Sequence, residues 1–93
     1  MQENKAIQTI RTLLPKEVSA LKLFIDAAYF NQSEPLKRLT IVILELLETA
    51  NGSIDLERLL KAFNRGYQKT VDKGHLNVLL SQLNKRLSFF LTI

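Results

Sequence analysis

Leu76, Leu80, Leu83, Leu87 and Phe90 recur at alternating spacings of four and three, with Leu79 and Leu91 beside them. A helix turns once in about 3.6 residues, so these positions form one apolar ridge in a heptad-like seam. Such a ridge is not left in water, and the rest of the chain must supply what covers it. Asp72 is the natural N-cap of this helix, because its carboxylate accepts the first free backbone N–H groups and sits at the positive end of the helix dipole.

Other segments carry the same period. From Glu3 to Leu14, the residues Ile7, Ile10, Leu13 and Leu14 give a narrow apolar stripe that Pro15 terminates. Pro15 also suits the first turn of a second helix, where its missing N–H has no partner to lose. Val18, Leu21, Phe24, Ile25, Ala28 and Tyr29 carry that helix to about Tyr29. A polar break, Asn31-Gln32-Ser33-Glu34, precedes Pro35, and Ser33 or Glu34 is placed to cap a third helix. Its stretch Leu39 to Leu47 is apolar nearly all round apart from Glu45, which predicts a central helix surrounded by the others. The β-branched run Thr40 to Ile43 would also suit a buried strand, but no second strand of comparable strength exists to pair with it. Asn51-Gly52 ends the third helix. Ser53 or Asp55 caps a fourth, with Leu56, Leu59, Leu60 and Phe63 as its buried face, and Asn64-Arg65-Gly66 stops it. A basic connector, Tyr67 to Val71, leads to the final helix. The expectation is an all-α fold, a compact irregular bundle of about five helices, with residues 1–93 forming a single domain.

The function classes narrow by elimination. The chain has no cysteine, so neither a disulfide nor a thiolate metal site supplements the core. Its first residues lack the apolar core of a secretory signal, and its apolar runs fall short of the ~20 residues of a membrane-spanning helix, so a cytoplasmic protein is expected. His75 is the single histidine and has no cysteine or carboxylate cluster at ligand spacing, nor a serine placed to build a triad. Glu45 and Glu48 share a helical face, yet a di-iron type site needs further Glu and His ligands from facing helices. Gly52, Gly66 and Gly74 are isolated, outside any phosphate-binding loop. No enzyme activity, metal or cofactor is expected. Gly74 stands out because glycine in a helix costs up to ~1 kcal/mol against alanine; a helix-end residue is the simpler reading, and close approach of a partner backbone or phosphate is the functional alternative.

Charge singles out one region. Residues 1–63 balance, whereas Asn64 to Ile93 hold Arg65, Lys69, Lys73, Lys85 and Arg86 against Asp72 alone, and 5 minus 1 accounts for the whole net charge of +4. At about 100° per residue, Gly74, Val78, Ser81, Lys85, Phe89 and Thr92 point away from the leucine ridge. Val78 and Phe89 beside Lys85 and Arg86 form a mixed surface suited to a partner helix or to a homodimer, unless the N-terminal helix of the same chain covers it. The expected partner-binding set is Val78, Ser81, Lys85, Arg86 and Phe89. The leading alternative is a helix–turn–helix regulator, in which Lys73, His75, Asn77, Ser81, Gln82 and Lys85 face a groove with Arg65, Lys69 and Arg86 near phosphates. In that alternative, Ser88 to Ile93 begins a strand. The long break between the two helices and the modest net charge weigh against it.

Ala28-Tyr29-Phe30-Asn31-Gln32-Ser33-Glu34, followed by an apolar helix, a capped fourth helix and Leu79-Leu80-Ser81-Gln82-Leu83 with trailing Phe90-Leu91, resembles the N-terminal helical region of a group of uncharacterised Bacteroidetes proteins. The likeness spans roughly Leu14 to Leu91 and departs at Asn64-Arg65-Gly66-Tyr67, where that group usually has a Phe-Pro-Gly type turn. It implies a helical fold and no particular chemistry.

Overall fold

The computed structural model describes residues 4–25, 34–49 and 54–91, apart from the side chains of Ile25 and Phe89. They form α1 (Lys5–Arg11), α2 (Pro15–Ile25), α3 (Glu34–Thr49), α4 (Leu56–Asn64) and α5 (Lys73–Leu91), with no strand among them. The radius of gyration, 12.4 Å, matches the roughly 12 Å expected of a packed chain of this length. No helix is long and apolar enough to cross a membrane among the described residues.

Local chemistry sets the helix ends. Asn4 caps α1 by accepting the Ala6 N–H at 2.8 Å, and Thr12 closes it by donating its hydroxyl to the Thr9 carbonyl at 2.8 Å. This helix is shorter than the stripe to Leu14 predicts, because a residue before proline is driven out of the α region. Leu14 becomes instead the entry to α2: its N–H is held by Glu17 Oε1 at 2.8 Å and its carbonyl accepts the Val18 N–H at 2.9 Å. Its side chain is consequently 55% exposed. Asp55 and Asp72 cap α4 and α5 as expected, accepting the N–H of Arg58 at 2.7 Å and of His75 at 2.8 Å. The expected extension of α2 to Tyr29, the Ser33 and Ser53 caps and the Asn51-Gly52 stop lie outside the described residues, as does the Tyr-Phe-Asn segment of the resemblance.

The core joins all five helices. Ile7 and Ile10 of α1, Leu21 of α2, Leu39 and Ile43 of α3, Leu59 and Phe63 of α4, and Leu76, Leu80, Leu83 and Leu87 of α5 are each at most 2% exposed. Burying a side chain of this kind contributes about 1.5–3 kcal/mol. The leucine ridge of α5 is thus turned inward, against α1, α3 and α4. Phe90 is half-buried and meets Phe24 of α2 with ring centroids 5.1 Å apart. Leu91, expected to support the ridge, is 49% exposed, since one further residue rotates it about 100° out of the Phe90 direction.

α3 is central but not surrounded. It packs on α1, α4 and α5, while Ile41, Glu45, Glu48 and Thr49 remain exposed, so the apolar run predicts more burial than one face of the helix receives. Thr40 is fully buried on the inner face and donates its hydroxyl to the Leu36 carbonyl at 2.9 Å, which removes the cost of enclosing it.

Candidate interaction surface

The orientation of α5 is set by the segment that precedes it. Asn64, Arg65, Gly66 and Tyr67 form a β-turn closed by the Tyr67 N–H on the Asn64 carbonyl at 3.1 Å. Arg65 at φ −63° and ψ 115°, followed by Gly66 at φ +69°, makes it a type II turn, whose third position favours glycine. This turn returns the Tyr67 ring to Phe63, edge to face at 5.3 Å. Arg38 of α3 then locks it: Nε donates to the Phe63 carbonyl at 2.8 Å and Nη2 to the Arg65 carbonyl at 2.9 Å, while the guanidinium lies 4.3 Å from the Tyr67 ring centroid. A cation at the C-terminal end of α4 also opposes that helix's dipole favourably.

Asn64 closes the remainder of the connector. Its side-chain amide donates to the Val71 carbonyl and accepts the Val71 N–H, both at 2.9 Å, so the chain leaves α4 and re-enters at Asp72 through a clamped loop. Asn64→Ala is expected to cost about 1–3 kcal/mol, because both half-buried Val71 groups lose their partner. Trypsin cleavage after Arg65 or Lys69, followed by mass spectrometry, should accelerate in step. Unchanged cleavage and unchanged urea midpoint would mean that the clamp contributes nothing.

With α5 so placed, the predicted surface can be located residue by residue. Val78 is 52% exposed, and Ser81 and Lys85 are exposed with it. At 100° per residue these three fall within an arc of about 60° opposite the leucine ridge. The N-terminal helix does pack on α5, with its Ala6, Ile7 and Ile10 buried, but it leaves this arc open. Arg86 is half-buried at the edge of the ridge, and the Phe89 side chain lies outside the described residues. No Asp or Glu occurs anywhere in α5, so the exposed face has no carboxylate of its own helix to offset Lys85.

The nucleic-acid set is dispersed. Lys73, His75, Asn77 and Gln82 are all exposed, yet Lys73 and Asn77 project about 140–180° around the axis from His75 and Gln82. Lys73 is also paired with Glu57 of α4 at 3.0 Å. Arg65 and Lys69 are exposed in the connector. α5 continues as helix through Leu91, which overturns the expected strand from Ser88 over its described part. Gly74 has open space around it: an added Cβ would meet only Asp72 Oδ1, at 3.5 Å. Among the described residues nothing else approaches it closely. Among the described residues no three of His, Asp or Glu stand together to hold a metal.

Sequence reasoning missed Arg38, Asn64 and Tyr67. Their partners lie up to 29 residues away, and an arginine one turn into an apolar helix gives no signal of that reach. No family model, no curated protein and no solved structure matches the chain.

Proposed function

We propose that this chain is a non-enzymatic helical protein-interaction module that binds an acidic partner, or a second copy of itself, through the outward face of α5. The observation that carries this reading is a half-exposed Val78 beside Ser81 and Lys85 on a helix without a single carboxylate. Val78 supplies apolar contact, and Lys85 favours association with negative charge. The regulator reading has less support, because eight residues (65–72) separate α4 from α5 where a helix–turn–helix uses three or four, and because its contact residues spread around the helix.

A photo-cross-linking residue at Ser81 tests this reading in living cells. The expected result is a discrete adduct that disappears with Val78→Asp or Lys85→Glu, both at exposed positions where the fold is unaffected by circular dichroism. Light scattering over a concentration series distinguishes a homodimer from a foreign partner. Absence of any adduct, or an adduct indifferent to both substitutions, overturns the proposal. Salt-dependent capture of random duplex DNA would favour the regulator instead.

A further inference from the structure

A second surface lies where no residue of α5 contributes: an open groove of about 740 Å³ between α3 and α4. Ile41, 39% exposed, and half-buried Leu46 and Ala62 give it an apolar floor. Charge is distributed along it. Arg38 and Arg65 are drawn together by the Nη2 to carbonyl bond at 2.9 Å, with Lys37 next to them, whereas Glu45 stands seven residues further along α3. Glu34, one turn before Arg38, leaves that end net positive. Seven residues correspond to two turns, about 10.5 Å.

From this pattern we infer that the groove seats an amphipathic helix of a partner protein. Its carboxylate faces the Lys37, Arg38 and Arg65 end, its cation faces Glu45, and the two apolar residues between these charges rest on the apolar floor at Ile41. The complement is therefore an acidic and a basic residue seven apart on one helical face, with apolar residues between them at the third and fourth positions. The outward α5 face of a second copy does not meet it, since α5 has no carboxylate for the cationic end. The α3 helix, sixteen residues long, offers roughly 24 Å of track, enough for about four turns of a guest.

The probe is a labelled alanine-based helical peptide carrying Glu, Leu, Leu and Lys in that spacing, measured by fluorescence anisotropy against the whole chain. A twin with Lys at both charged positions is expected to bind about tenfold more weakly, and Ile41→Asp to weaken the first peptide by a similar factor. Arg65→Glu, at an exposed position, should narrow or reverse the preference between the two peptides even if Ile41→Asp perturbs folding. Val78→Asp should leave binding unchanged, which separates this groove from the α5 face: either surface can fail without the other. Equal affinity for the two peptides, no binding of the first, or loss of binding in Val78→Asp with the Ile41 and Arg65 variants intact overturns the inference.

Discussion

Phe63→Ala is expected to remove about 3–5 kcal/mol of stability, the largest single loss in this chain. Phe63 is 0% exposed at the last full turn of α4, and its ring is held edge-on by Tyr67 at 5.3 Å and approached by the Arg38 guanidinium at 5.5 Å. Truncation both withdraws the ring from the core and leaves a cavity that the surrounding helices fill incompletely. Against a total of roughly 5–14 kcal/mol for a domain of this length, such a loss takes a large part of the folded state. Urea unfolding followed by circular dichroism checks it. Phe63→Leu, which keeps much of the volume, should lose less than half as much. A loss below about 1 kcal/mol for the alanine variant would show that the ring is not packed as described.

Arg38→Ala is expected to cost about 2–3 kcal/mol. Hydrogen bonds from a charged donor contribute about 1.5–3 kcal/mol each, but the Arg65 carbonyl is exposed and water can take over part of its bond. Stacking on Tyr67 adds about 0.5–1 kcal/mol, and the three contributions share one side chain, so they do not add in full. Arg38→Lys retains the charge and loses the planar fork that reaches two carbonyls at once, and it should fall between wild type and alanine. Amide exchange at Tyr67 provides a local readout: it should quicken in both variants, because the type II turn loses its anchor to α3. Wild-type exchange with wild-type stability in Arg38→Ala would exclude the anchor. Combination with Tyr67→Leu in a double-mutant cycle measures the stacking contribution separately.

These two residues differ in how far the sequence discloses them. Phe63 completes the stripe Leu56, Leu59, Leu60, Phe63, so its burial follows from periodicity alone. Arg38 belongs to a row of polar residues on an otherwise apolar helix, and its role depends on where the α4 C-terminus arrives. The same division runs through the surface. That Val78, Ser81 and Lys85 oppose the leucine ridge was readable from spacing, and the Asp55 and Asp72 caps were readable from residue type. Whether α1 shields that face was not, since α1 docks through a stripe compatible with several positions around α5. The exposure of Ile41 was equally hidden: an apolar run records what a helix tolerates, and the number of neighbours is a property of the assembled bundle.

By itself the sequence determined the all-helical class, the inward ridge of α5 and the caps that begin its last two helices, because these follow from side-chain spacing and hydrogen-bonding chemistry within a few residues of each other. The tertiary structure alone decided that Arg38 ties α3 to the end of α4, that Asn64 closes the loop onto Val71, and that a groove opens beside Ile41. Each of these joins groups that are separated along the chain and are brought together by the packed helices. The early end of α1 is local by contrast: the proline keeps Leu14 out of the helix, and Glu17 holds its N–H as α2 begins.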